Sequence, residues 1–357
     1  MIHLLFGTNP VDEDIDRWRS QKFQFAESIP FLLEQSHGGP CGVLAPVQAF
    51  LMAKLEEDNM FWWDKIDATN VWGRLVVVLN EILATAGSMK IVRLEGDNIS
   101  SSAKLDEPLC REMSVLDFLA SLVLTRGIDQ VKADMDDPSV PLIGRFGHCS
   151  QEVLNLVLFG RATSNVFDGD QRLGDEKECV MVLSGVPDVP ITVGLLSELE
   201  ALRYITVGSR LKNPIRPIWV LGSPTHYTVL VGKEALIPAE GSNALANAFQ
   251  KHQLDEGIAL EESLKHMLAE LDIKEFPSER IVSDGIFIFQ DFEQLAKSIY
   301  PDRWPEAVEH KELSFLILDG QVPARMQKVR LSKSESKTTG SPVFRTRWPQ
   351  MYVHVDG

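Results

Sequence analysis

At 357 residues the chain can bury a large core and hold one large domain or two ordinary ones. Its 44% hydrophobic and 24% charged content are ordinary for a globular protein, and a net charge of −16 argues against nucleic acid or an anionic membrane surface as the main partner. Four cysteines (Cys41, Cys110, Cys149, Cys179) with no CxxC pair fit neither a zinc module nor a disulfide framework. The opening Met1–Pro10 stretch lacks the basic region of a signal peptide, and no apolar run reaches the roughly 18 residues of a membrane span. A cytoplasmic or nuclear monomer is the expectation, in a reducing compartment where a free thiolate survives.

Residues 1–40 read as irregular, with Trp18, Phe23 and Phe25 as core anchors. Gln35-Ser-His-Gly-Gly-Pro-Cys41 then leads into a helix over 41–56, where Leu44, Val47 and Leu51 recur at helical spacing. Gly38 and Gly39 permit a tight turn, and Pro46 falls near a first turn where it is tolerated. A second helix over 71–87 closes at Gly87, residues 88–95 read as a strand, and Ser114 caps a helix running to Leu124. Residues 150–160 form a helix ending at Gly160, and 165–190 a long surface loop carrying Asn165 and Asp168, which are candidate contacts for a partner. Gly194–Tyr204 is predicted helical. Two β-rich runs follow, Pro217–Leu221 and Tyr227–Val231, joined by a turn whose last residue is His226.

Helical pattern and charge return over 240–300, with helices at Asn243–Gln250, Ala259–Leu271 and Phe289–Ser298. Strands resume at Ser314–Asp319, Lys328–Leu331 and Tyr352–Val355, and Lys333–Gly340 is polar and expected to be mobile. No repeat of fixed period is evident. The pattern is α+β: a single domain over 1–357 interrupted by a helical insertion at 240–300.

A glycine-rich turn feeding a cysteine at a helix start is the geometry of a papain-like nucleophile, because the unpaired amides and dipole there favour a thiolate. Taken alone, Cys41 reads more often as a small buried hydrophobe, His226 as a strand-end histidine bonded to backbone, and Gln35 as a solvated loop residue. Taken together they supply a nucleophile, a base held on a strand, and an amide donor for an oxyanion. His37 and His148 suit the base role less well. Cys149, beside His148, is a weak rival nucleophile, since adjacent residues rarely point at each other productively.

Three blocks carry a resemblance: Gln35 with Gly38–Leu51, Ser150–Phe167, and Val207–His226, with Arg345–Pro349 as a shorter fourth. In this order they resemble the MINDY deubiquitinases, in the branch with a calcium-hand-like insertion before the last strands. The resemblance implies a papain-like cysteine protease variant, its catalytic helix packed on an antiparallel sheet. It implies an isopeptidase that trims lysine-48-linked ubiquitin chains, with Cys41 as nucleophile, His226 as base and Gln35 as oxyanion donor. Ubiquitin and lysine-48-linked polyubiquitin are then the partners, and no metal or organic cofactor is required. One departure stands in Ser223-Pro224-Thr225 before the histidine, where the proline could shift the histidine turn.

The small residues Gly38, Gly39 and Gly42 fit a narrow channel for a Gly-Gly tail. In the insertion, Gly257 at the sixth position of a calcium loop puts His252 first, Leu254 third and Ser263 twelfth. Calcium is not expected there, and a degenerate scaffold for partner contact is. Two rival functions are a catalytically silent ubiquitin-chain-binding scaffold and a hydrolase for another ubiquitin-like modifier. No local signal picks the residue that orients His226.

Overall fold

The computed structural model describes residues 1–58, 61–62, 65–66, 68–95, 98–102, 105–174, 179–233, 245, 248–249, 252–255, 257–301, 312–333, 342–348 and 351–355. They divide into two compact units, Met1–Ala235 with Glu312–Gly357, and Leu236–Lys311.

The short β-rich runs late in the first unit assemble into one six-stranded sheet. Its strands are β1 (Gly194–Ser197), β2 (Ile218–Gly222), β3 (Tyr227–Gly232), β4 (Glu312–Asp319), β5 (Arg325–Ser332) and β6 (Tyr352–Val355), and they lie side by side in that order. All neighbours are antiparallel except β1 and β2, so the sheet is mixed and not purely antiparallel as expected.

Alternation sorts the side chains to two faces. Ile218, Val220, Val229, Val231, Leu316 and Leu318 share a core with the helix α3 (Cys41–Glu57), which packs across β2 and β3. On the opposite face Trp219, Phe315 and Trp348 stack edge to face and tilted, at 5.0–6.4 Å between ring centroids. The late Arg345–Trp348 segment thus closes the second face of the sheet.

Helix α3 is apolar all round and buried from Cys41 to Leu55, except for Phe50 and Lys54, because it is covered on every side. The sheet lies on one side. On another lie α4 (Val71–Ala86) and α6 (Gln151–Phe159), while α5 (Val115–Arg126) extends the core beyond α4. The caps read from the sequence are present. Ser114 and Asp117 form a reciprocal capping box, and Gly160 closes α6 in the left-handed conformation at φ 74°. Pro46 sits at the sixth helical position, inside α3 and not in its first turn, where it cannot donate to the Gly42 carbonyl.

Three expectations for the first unit are corrected. The first forty residues are not wholly irregular: α1 (Ile2–Phe6) and α2 (Asp12–Ser20) are helical, and α2 carries Asp12, Glu13 and Asp14 in its first turn and Arg17 and Arg19 in its last, each favourable to the helix dipole. Trp18 and Phe23 are fully buried, and Phe25 packs against the core. Gly194–Tyr204 is not one helix. Gly194–Ser197 pairs with β2, and only Glu198–Ala201 is helical. A short apolar run beside glycine does not distinguish a buried strand from a buried helix by periodicity. Here the close approach of Leu211 decides it: a Cβ on Gly194 would lie 2.2 Å from the Leu211 carbonyl oxygen. The expected loop at 165–190 contains a hairpin, Asp170–Gly174 paired with Cys179–Ser184.

The second unit is mixed rather than wholly helical. Its helices Glu261–Glu270 and Phe289–Ile299 each follow a three-residue strand, Ile258–Leu260 and Ile286–Ile288. These strands pair antiparallel through Ala259 and Phe287, with Gln253–Asp255 alongside. Gly257 at φ 76° and Gly285 at φ 79° turn the chain into each strand. A duplicated turn–strand–helix unit is therefore present, which two copies alone do not reveal as a period. Counted as a calcium loop, the second copy puts Arg280 first and Val282 third, so neither copy offers carboxylates at those positions. Phe249, Leu264, Met267, Phe287 and Phe292 fill its core. Of the expected Asn243–Gln250 helix only Leu245, Ala248 and Phe249 lie within the described residues, and all three are buried; 334–340 lies outside them.

Candidate active site

Cys41 is the first residue of α3 and is buried, its sulfur 3.9 Å from the Gly39 carbonyl oxygen. No side chain caps this helix start, because the residue before it is Pro40. His226 sits at the start of β3, the strand on which α3 lies.

The imidazole of His226 is held by Asp319, with Nε2 2.9 Å from Asp319 Oδ1, and Cys41 is near enough to act on the charge of the ring. The sheet register explains the pairing of His226 with Asp319. Val229 pairs with Leu318, so Asp319 falls across from Thr228, two residues from His226 and on the same face.

The turn is locked by Ser223, whose Oγ accepts the His226 N–H at 3.0 Å and whose N–H and Oγ both donate to the His226 carbonyl at 2.9 Å. Pro224 sits within this closed turn and does not carry His226 away from Cys41.

The charges agree with a polarised relay. The hydrogen bond with Asp319, then that with Cys41, raises the His226 pKa to about 9 against the opposing effect of burial. Burial would raise the Asp319 pKa, but hydrogen bonds from His226, the Gln321 amide and Arg325 outweigh it and hold the carboxyl at about 2. Arg325 Nη2 lies 2.9 Å from Asp319 Oδ2, and the Gln321 N–H donates to Oδ1 at 3.0 Å. Asp319 therefore stays ionised and fixes the ring.

Gln35 is buried, and the structure ties it to the loop that carries Asp319. Its N–H donates to the Gly320 carbonyl at 2.7 Å, and its own carbonyl accepts from Val322 at 3.1 Å. Its side-chain Nε2 donates to the His37 carbonyl at 2.6 Å, within the turn leading to Cys41. An amide nitrogen carries a second N–H, which that bond leaves over.

Cys149 lies close to Cys41. Its thiol lies 3.3 Å from the same Gly39 carbonyl oxygen. Burial first, and then the neighbouring Cys41, pushes its pKa up, so Cys149 stays a neutral thiol. His148, next to it in sequence, is exposed.

This contact corrects the reading of the small residues. A Cβ on Gly42 would lie 2.7 Å from Cys149 Cβ and 2.8 Å from its sulfur, and one on Gly39 would lie 2.6 Å from the Gly147 carbonyl oxygen. Both glycines answer to internal packing rather than to a tail channel; only Gly38 faces open space. Gly42→Ala is expected to lower stability by about 1–3 kcal/mol through overpacking, with a matching loss of activity. Thermal unfolding of Gly42→Ala with and without Cys149→Gly checks it: the second change restores stability if the clash is the cause.

Asn165 and Asp168 both fasten the fold internally. Asn165 donates to Asp136 Oδ2 at 2.8 Å, and Asp168 accepts from the Ser209 and Arg210 amides at the start of a short helix. Residues without a signal in the sequence complete the site. Asp319 fixes the His226 ring. The half-buried ring of Tyr227 passes 3.6 Å from where a Gly42 Cβ would stand and couples the histidine turn to α3. Trp18 donates from Nε1 to the Gly147 carbonyl at 2.8 Å and supports the turn from below. Among the described residues, no group of three or more His, Cys, Asp or Glu side chains could hold a metal ion.

A thiol at a helix start, an imidazole beside the adjacent strand and a carboxylate on the strand after it meet here. Comparison with known proteins gives the same direction. The family described as "Deubiquitinating enzyme MINDY-3/4, conserved domain" matches residues 3–107 and 108–246. The chain is 33% identical to "Ubiquitin carboxyl-terminal hydrolase MINDY-3" of Homo sapiens over 343 residues, covering 78% of this chain and 75% of that protein. It is equally similar to the Bos taurus protein of the same name, and 31% identical to "Probable ubiquitin carboxyl-terminal hydrolase MINDY-4" of Bos taurus over 61% of this chain and 34% of that protein. No solved structure matches. The chain is a member of the MINDY-3/4 deubiquitinating enzyme family.

Proposed function

We propose that this chain is a thiol-dependent ubiquitin hydrolase that cleaves isopeptide bonds in lysine-48-linked polyubiquitin with a papain-like mechanism. The observation that carries the reading is His226, held at 2.9 Å by Asp319 and beside Cys41 at the start of α3, so that both groups raise its pKa. His226 takes the proton from Cys41, and the thiolate attacks the carbonyl of the ubiquitin C-terminal glycine. The Cys41 N–H and the spare N–H of Gln35 hold the oxyanion, with the amide of Gln35 oriented by the His37 carbonyl. His226 then returns the proton to the leaving lysine amine. Water attacks the thioester, giving up a proton to His226, and the released Cys41 sulfur recovers it. Asp319 keeps the ring oriented throughout and stabilises its charged form.

Family membership and the printed names of the relatives support ubiquitin as the substrate. The preference for lysine-48 linkage rests on the sequence resemblance. The test is treatment with a ubiquitin bearing an electrophilic C-terminus, followed by peptide mass spectrometry. An adduct on Cys41 is expected, and one on Cys149 would move the nucleophile. Turnover of di- to penta-ubiquitin of each linkage then reads the preference, and equal rates on all linkages would remove it. Retention of chains with no cleavage at any enzyme concentration would favour the scaffold reading.

A further inference from the structure

The loop that packs against the turn before Cys41 carries a large, exposed apolar side chain. Phe146 is 73% exposed. Its backbone is left-handed, at φ 64° and ψ 18°, a conformation that bulky non-glycine residues rarely adopt. Such conformations persist only where the surroundings over-determine them, and they cluster at functional sites.

The surroundings do over-determine it. Arg17 Nη1 donates to the Phe146 carbonyl at 3.3 Å, and Trp18 donates to the next carbonyl, of Gly147. The Gly144 N–H donates to the His148 carbonyl at 2.8 Å and closes the loop. Both arginine and tryptophan come from α2, so the loop stands on a helix. The same loop abuts the nucleophile turn: the Gly147 carbonyl packs on Gly39, and the Cys149 thiol bonds to the Gly39 carbonyl, two residues before Cys41.

We propose that Phe146 is a specificity-determining contact for ubiquitin: its ring packs on apolar side chains of the unit whose C-terminal tail lies in the site. This rests on the hydrolase reading given above. A rigidly mounted aromatic on the rim of the nucleophile turn is the kind of anchor that dominates protein interfaces, and the ring loses exposed apolar surface only when the substrate covers it. The contact is made by ground state and transition state alike, so it sets KM rather than kcat.

Phe146→Asn and Phe146→Gly test it, because both residues accept the left-handed backbone that phenylalanine strains against. Expected are a melting temperature equal to or above that of the wild type, unchanged alkylation of Cys41 by iodoacetamide, and a KM for polyubiquitin raised about tenfold with kcat within about twofold. Phe146→Leu, which keeps an apolar side chain, retains most of the affinity. A KM within about twofold of wild type in the Asn variant would overturn the inference. So would a matching loss of iodoacetamide reactivity, which would make Phe146 a prop for the turn.

Binding of polyubiquitin on a sensor surface separates this inference from the one it rests on. If the wild type retains chains without cleaving them, the hydrolase reading fails and the Asn variant still decides: weaker retention supports the contact, and equal retention refutes it. If the wild type neither binds nor cleaves, both fall.

Discussion

Alanine at Cys41 is expected to abolish polyubiquitin cleavage, and alanine at His226 to lower kcat/KM by about 10⁴–10⁶-fold, the loss seen when one member of a nucleophile–base unit is removed. Both variants are expected to keep their fold. Cys41→Ala removes a single sulfur from α3, and His226→Ala leaves Asp319 with the Arg325 and Gln321 donors it already has. Gel-based cleavage of chains alongside thermal unfolding separates the two effects. A His226→Ala enzyme within tenfold of wild type would mean that the imidazole is not the base. The double variant is expected to be no worse than the worse single, because the two groups act as a unit.

Asp319→Asn is expected to move the alkaline limb of activity and to lower the rate. Protonated His226 is needed to release the lysine amine, and its pKa of about 9 places the fall of kcat/KM near that pH in the wild type. Removing the carboxylate removes the largest influence holding that proton, so the limb moves toward the ordinary histidine value of 6.5. At pH 8 the variant loses on the order of 10²–10⁴-fold, as when the residue orienting a catalytic histidine is replaced, and recovers part of it at lower pH. A merely structural aspartate would lower the rate without moving the limb.

Stability carries the same signature. The His226 pKa is raised, so its contribution is complete below about pH 6.5 and is lost as pH climbs through about 9. The Asp319 pKa is lowered, so its contribution is complete above its ordinary 3.8 and is lost as pH falls toward about 2. The gap in melting temperature between wild type and Asp319→Asn is therefore widest between about pH 4 and pH 6.5 and narrows toward pH 9 and above. A gap independent of pH across that range would exclude the ion pair.

Some elements were legible because their signals are local. The helix of Cys41, the capping box of Ser114 and Asp117, the glycine stop at Gly160 and the strands either side of His226 each depend on residues a few positions apart. Gly194–Ser197 was misread because a short apolar run serves a buried strand and a buried helix equally. Its parallel pairing with β2, across twenty residues of intervening chain, settles the matter. The second unit was misread at Ala259 for a related reason: its strand residue pairs with Phe287, a partner no local window contains.

Cys41 and His226 could be picked out as candidates from their segments, a thiol after a glycine turn and a histidine after a strand turn, but each alone read more often as structural, and the family resemblance supplied their roles. Tertiary structure alone selected Asp319, gave Gly42 its reason in the Cys149 side chain, and stood Phe146 beside the site. Asp319 sits 93 positions from His226 and resembles any acidic residue at the end of a strand. Hydrogen-bond registry between strands β3 and β4 brings the two together, and registry is a property of paired chains that neither strand encodes by itself.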